Sequence, residues 1–361
     1  MSELADVMAD AVGRVLDDLG AAARDTQDPL PLWRAMDEAG FALALVPEAH
    51  GGAGVAWRDA AAMLTALAAQ GVPSPLPEAM LAQWLVACAD PAALAPGLAV
   101  FADGSSLAIS QTGGAWQATG RLRRVPWARH AARVVALVRD AQGAPCLVAI
   151  EAPGAGERVQ GSNLAGEARD DLVLAARAVT MLGASPVDAD GLRALGAALR
   201  CVQIAAAMHS ALALAVEYAN LRIQFGQPIA KFQAVQHPIA QLAAAASAAR
   251  AASQAALEEI DLRASTGALD TLGDSFQIAS AKVFCGEVAG QAASIAHQAF
   301  GAIGFTQEHS LHHYTRRLWS WRDEYGNETL WARRIGQAFC TAGSEALWPA
   351  LTLSRLPEVT A

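Results

Sequence analysis

Two alanine-rich runs, residues 192–221 and 233–265, each keep a helical pattern for more than 25 residues. Between them stands Arg222-Ile-Gln-Phe-Gly226-Gln-Pro228, where one glycine and one proline break the helix. Helices of that length with small residues along their faces are built for close antiparallel packing. A third run, from about Leu272 to Ala299, matches them, and a fourth near the C-terminus would complete a four-helix bundle. The break itself is unusual for a bundle loop. It packs an arginine, an aromatic ring and a turn together, followed by Phe232, Gln233, Gln236 and His237. Read on its residues alone, Arg222 is a cation at a helix C-terminus, where the helix dipole favours positive charge.

The rest of the chain has a different texture. Residues 1–95 carry helical spacing, for example at Leu32, Trp33, Met36 and Ala39, and again from about Trp57 to Ala69. His50-Gly51-Gly52-Ala53-Gly54 lies between them with no preceding strand and no following Gly-Lys-Ser/Thr, so it reads as a helix-to-helix turn and not a phosphate loop. Residues 96–183 hold short β-prone segments separated by Gly, Asp and Pro, with a hairpin expected between Val138 and Cys146. The expected fold is α+β in three domains: an N-terminal helical domain (1–95), a small middle β-barrel or sandwich of six or seven strands (96–183), and a C-terminal helical bundle (184–361). No βαβ alternation and no Gly-x-Gly-x-x-Gly after a strand is present, which argues against a Rossmann fold.

Composition narrows the function classes. A formal net charge of −9 is poorly suited to nucleic acid, whose phosphates are met by basic patches. The five cysteines are scattered without a Cys-x-x-Cys pair or clustered histidines, so neither a disulfide framework nor a metal site is expected. No uncharged run reaches the roughly 20 residues of a membrane span. The N-terminus is acidic and amphipathic, unlike a signal peptide, which points to a cytoplasmic protein with no membrane partner.

Three stretches together resemble the acyl-CoA dehydrogenase family. Phe41 to Gly54 is similar to the family's N-terminal Leu-Gly-Leu…Val-Pro-Glu-x-x-Gly-Gly-x-Gly. The hinge Arg222-x-Gln-Phe225-Gly226-x-Pro-Ile229, with Phe232-Gln233-x-x-Gln236-His237, resembles its Arg-x-x-Phe-Gly block. Gln298-x-x-Gly301-x-x-Gly304-Phe305 and the arginine-bearing stretch to Glu328 resemble its Gln-x-x-Gly-Gly-x-Gly block. The resemblance spans nearly the whole chain and implies the helix–β–helix fold, FAD as cofactor, an acyl-CoA thioester as substrate, and lipid metabolism as setting. It implies that Arg222, Phe225 and Gln233 reach the FAD of a neighbouring subunit, with Gln298, Gly301 and Gly304 on the other side of the same pyrophosphate. Asn327 is expected beside the cofactor. Trp127 has two readings, a cover for the flavin ring or a core tryptophan. The middle segment is short and lacks the family's Thr-Glu-Pro-x-Ala-Gly-Ser-Asp.

The pattern breaks at the catalytic base. The family removes the substrate's α-proton with a glutamate that directly precedes the glycine of Tyr-Glu-Gly-Thr. Counted from Gly301, this chain has Asp323-Glu324-Tyr325-Gly326-Asn327, which puts Tyr325 at that position. A phenol with an ordinary pKa of about 10 is a poor base at neutral pH. The alternative position, on the first bundle helix, is Gly196-Ala197, which offers neither base nor arginine. Glu324 is one residue off, and one helical step turns a side chain by about 100°. Glu324, Glu328 and Asp323 are the candidate substitutes for the base, Glu324 first; read on their surroundings alone, all three are surface acids near a helix N-terminus. The combination implies the base-lacking chain of a hetero-oligomer formed with a similar dehydrogenase subunit, with a homotetramer and contact with electron-transfer flavoprotein also in view. Two alternatives stay open: a flavin oxidase or monooxygenase of the same fold, and a non-catalytic structural subunit.

Overall fold

The structure is a computed structural model and describes residues 2–357. It divides into two compact units. The first holds the chain up to Ala60, then Val72–Leu192 and Gly267–Gly273; the second holds Ala61–Gly71, Arg193–Thr266 and the chain from Asp274 onward.

The first unit opens with α1 (Glu3–Thr26), whose first turn is capped by Ser2 Oγ accepting from the Ala5 N–H. Helix α2 (Leu30–Glu38) buries Leu32, Trp33 and Met36. The glycine-rich turn that follows is a packing device. Gly52 lies so close to the backbone that a Cβ there would stand 2.1 Å from the Val46 carbonyl oxygen. Helix α3 (Trp57–Gln70) passes from the first unit into the second. In α4 (Leu76–Ala89) every residue from Leu76 to Ala87 is buried, as a helix apolar all round must be.

Seven strands follow: β1 (Ala99–Asp103), β2 (Ala108–Thr112), β3 (Ala115–Pro126), β4 (Arg133–Arg139), β5 (Pro145–Glu151), β6 (Arg158–Val159) and β7 (Arg169–Ala184). Their order is β1-β4-β5-β7-β3-β2, with β6 on β7; β1 and β4 run parallel and the other pairs antiparallel. The expected hairpin is present, with Val138 opposite Cys146. Long β7 pairs with β3 along its first part and with β5 along its last, with register shifts on both sides. One strand serving two partners in this way bends the sheet into the expected small β domain.

The second unit is helical. Helix α5 (Ala189–Leu221) leads into a two-stranded hairpin, β8 (Ile223–Gln224) and β9 (Gln227–Pro228), and then α6 (Gln233–Thr266). Helices α7 (Phe276–Phe300), α8 (Leu311–Trp321), α9 (Glu328–Ala342) and α10 (Leu347–Leu353) complete it. Helices α6 and α7 pack against each other, and both bury small residues: Ala246, Ala249, Ser253 and Ala256 on α6 and Ala289, Ala292, Ala293 and Ala296 on α7. By length and composition α5 could cross a membrane, but 67% of its most apolar window is buried inside the protein, which makes it a core helix.

Candidate active site

The turn between α8 and α9, residues 322–327, is held from three helices of the second unit. Arg200 on α5 is 2% exposed and donates from Nε to Glu324 Oε2 at 2.8 Å. Its Nη1 donates to Gln203. The same guanidinium lies over the rings of Trp321 and Tyr325, 5.9 and 5.5 Å from their centroids. Glu324 is therefore a buried, paired carboxylate and not the surface acid its neighbourhood in the sequence suggests. Its partner stands 124 residues away along the chain. Its Oε2 is engaged by the guanidinium in a charge-assisted hydrogen bond.

Tyr325 adopts a left-handed backbone with φ +57°, followed by Gly326 at +92°. The indole N–H of fully buried Trp331 donates to the Tyr325 carbonyl at 3.1 Å and pins that geometry. The Tyr325 ring rests on Gly196 of α5, where a Cβ would stand 2.5 Å from ring atom Cδ1. The two positions that the resemblance assigns to the family's base thus meet in space, and a phenol ring fills the meeting point. Asn327 is the N-cap of α9, its Oδ1 accepting from the Leu330 N–H at 3.0 Å. Asp323 is exposed.

One face of α7 clamps the same turn. Lys282 is fully buried and donates from Nζ to the carbonyls of Arg322 at 2.6 Å and Trp321 at 3.3 Å, at the C-terminal end of α8. Burial pulls its pKa down, against the opposing pull of Cys201, Cys285, Glu324 and Glu328. Four and eight residues on, Gly286 and Gly290 leave room for Glu328 and Arg322, which pair with each other. Burial pushes the Glu328 pKa up, but the Arg322 hydrogen bond and charge outweigh it, so the carboxyl sits below its ordinary range. Glu328 does lie at a helix N-terminus, yet it too is committed. Neither Lys282 nor this glycine slot is legible from periodicity, although a lysine inside an apolar helical run is a signal worth pursuing.

At the other end of α5 the expected FAD hinge is a two-residue hairpin. Phe225 and Gly226 occupy its centre with φ of +52° and +79°, the pair of positive values a type I′ turn requires. Phenylalanine in that conformation is strained, and such strain marks functional positions. Phe225 is 92% exposed and meets Phe232 edge-on at 6.0 Å. Arg222 and Gln233 are exposed, and Arg222 has no ion-pair partner among the described residues. Tyr218 packs on Phe300 at 4.5 Å, so the root of this hinge and the end of α7 are neighbours. There Gln298 is exposed, and Gly301 has φ +64° with nothing near its missing Cβ. Gly304 differs: it is buried, and a Cβ would stand 2.8 Å from Phe300, which makes it a packing glycine. An uncommitted guanidinium, an exposed ring and open glycine backbone fit an anionic group with an aromatic part, as FAD is. An apolar groove of about 310 Å³, lined by Val216, Val235 and Ile239 among others, runs beside the hinge.

Trp127, with its two readings, is buried in the structure. It is 2% exposed in the first unit, and the Arg169 guanidinium covers its ring at 5.6 Å.

His297, next to Gln298, went unread in the sequence. Its ring is stacked between Phe305 at 4.2 Å and Trp319 at 5.7 Å, with Nε2 2.9 Å from Thr315 Oγ1. Burial lowers its pKa. Below the ordinary histidine range near 6.5 the unfolded chain takes up a proton before the folded one does, so stability contributed by the neutral ring is lost as pH falls through that window. Wild-type protein is expected to lose more of its urea midpoint between pH 7.5 and pH 5.5 than His297→Phe, which keeps a ring in the stack. An equal loss in both would count against this reading.

Comparison with known proteins agrees with the fold. Residues 194–337 match the family described as acyl-CoA dehydrogenase, C-terminal domain, and residues 2–92 match acyl-CoA dehydrogenase, N-terminal domain. The acyl-CoA dehydrogenase IpdE2 of Mycobacterium tuberculosis is 30% identical over 315 residues, which is 82% of this chain and 83% of that protein. Among solved structures, one in the ChsE4-ChsE5 complex of Mycobacterium tuberculosis superposes with a TM-score of 0.82 at 20% identity, covering 95% of this chain and 99% of that one. The Tcur3481-Tcur3483 steroid acyl-CoA dehydrogenase G363A variant superposes at 0.79 with 22% identity, covering 92% of this chain and 96% of that one. The chain belongs to the acyl-CoA dehydrogenase family. It is accordingly an FAD flavoprotein of the class that oxidises a CH–CH bond.

Proposed function

We propose that this chain is the base-lacking subunit of a hetero-oligomeric, cytoplasmic acyl-CoA dehydrogenase, completing FAD sites while a similar partner chain supplies the carboxylate. The observation that carries the reading is the Tyr325 ring resting on Gly196, with Glu324 tied to Arg200 and Glu328 to Arg322. No carboxylate in that turn is free to accept the α-proton, since the remaining one, Asp323, faces solvent. Arg222 would hold the pyrophosphate oxygens of FAD in its guanidinium fork, Phe225 would pack by the adenosine, and Gln233, Gln298 and the Gly301 backbone would complete the cradle. When bound, FAD supplies the acceptor for the hydride that leaves the substrate's β-carbon. Two of the similar structures are of a two-protein complex and of a steroid acyl-CoA dehydrogenase named for two proteins, which supports a paired chain and a bulky acyl group.

The test is an anaerobic visible spectrum before and after adding acyl-CoA, on this chain alone and co-expressed with a similar dehydrogenase chain. Bleaching only with the partner is expected; bleaching by this chain alone would sink the proposal. Replacing Arg222 by alanine is expected to weaken FAD retention about tenfold, the worth of one charge-assisted hydrogen bond at an exposed site. Equilibrium dialysis of flavin reads it, and unchanged retention would remove Arg222 from the cradle.

A further inference from the structure

We infer that Tyr325 is a plug: its ring closes the acyl end of this chain's own thioester pocket, so the chain accepts no acyl group there. The inference rests on the reading above, in which positions 196 and 325 both address the substrate's α-carbon. It goes further, because a chain without a base could still bind substrate.

Size complementarity carries the argument. A base position must leave room for the carbon it deprotonates. Here the smallest residue stands at 196 and a large ring at 325, and the ring occupies the volume a side chain at 196 would need: Cδ1, Cγ and Cε1 lie 2.5, 2.6 and 2.8 Å from where a Cβ would be. These are atoms at the root and side of the ring, not a mobile tip. The ring is also braced. Arg200 lies over it at 5.5 Å, Trp331 fixes its carbonyl at 3.1 Å, and Lys282 ties down the two residues that enter the turn. The left-handed backbone that carries the ring is held from α5, α7 and α9 together. Acyl-CoA would then be admitted only on a chain that carries a carboxylate at the corresponding position.

Binding, separate from turnover, tests this. Full-length FAD-loaded protein is dialysed against octyl-CoA thioether, which cannot be oxidised as a thioester, and against CoA itself. Wild type is expected to bind the two within about threefold of each other, and Tyr325→Phe, which keeps the ring, to behave the same way. Tyr325→Ala is expected to prefer the thioether by at least about tenfold, the size expected for burying two methylene groups. Tenfold preference in wild type would overturn the plug while leaving the base-lacking reading intact, provided no flavin bleaches with octanoyl-CoA. Bleaching by wild type alone would sink the base-lacking reading whatever the binding shows. A folded Tyr325→Ala protein with no gained preference would also overturn the plug. If that variant does not fold, the wild-type and Tyr325→Phe comparison still decides.

Discussion

Arg200→Ala is expected to destabilise the protein by about 3–5 kcal/mol, because it leaves the Glu324 carboxylate buried without its cation. Arg200 and Glu324 are 2% and 9% exposed, and the guanidinium also makes a hydrogen bond to Gln203 and lies over two aromatic rings, so water cannot simply take its place. Urea denaturation followed by tryptophan fluorescence reads the loss, since Trp321 and Trp331 flank the site. A control separates the pair from the packing. Arg200→Leu combined with Glu324→Leu exchanges two buried ions for apolar side chains, and such exchanges are often neutral or better. The double variant is expected to recover most of the loss. If it is as unstable as Arg200→Ala, the ion pair is not what the turn depends on, and Glu324 again becomes a candidate base.

What was legible in the sequence was local. The helices of the bundle show as runs of small and apolar residues, and the hinge shows as a glycine and a proline between two of them. The β4–β5 hairpin shows as two β-prone runs around a turn. Each of these is decided by neighbours within a few positions. The candidate site is different in kind. The pairing of Arg200 with Glu324, the seat of the Tyr325 ring on Gly196 and the clamp from Lys282 join residues far apart in the chain. Glu324 looked like a surface acid because acidic residues commonly precede helices, and nothing next to it in sequence says that a cation from α5 reaches it. Gly196 showed only as a missing base, although its absence of a side chain is what admits the ring.

The α7 face shows how one helix can serve both purposes. Lys282, Gly286 and Gly290 recur every four residues, so they share a stripe. Their spacing alone does not say what the glycines admit. In the structure they accommodate the Arg322–Glu328 pair, while the lysine satisfies carbonyls at the end of α8 that the helix itself cannot. The turn that carries Tyr325 is thereby held from α7 as well as from α5, which is the condition the proposed plug needs.

Gly196→Val offers the sharpest single measurement of that rigidity. Helix propensity alone favours valine over glycine by a few tenths of a kcal/mol, so an empty site would make the variant slightly more stable. Packing argues the other way. The first added carbon would already stand 2.5 Å from Tyr325 Cδ1, and valine adds two more. The ring cannot slide aside cheaply, because its backbone is pinned by Trp331 and its face is covered by Arg200. The packing cost wins, and a loss of about 3 kcal/mol is expected, at the upper end for overpacked cores. Pairing the substitution with Tyr325→Ala should return most of that loss, a coupling of more than about 1 kcal/mol between residues in contact. A Gly196→Val protein as stable as wild type would mean that the ring swings freely, and a freely swinging ring closes no pocket.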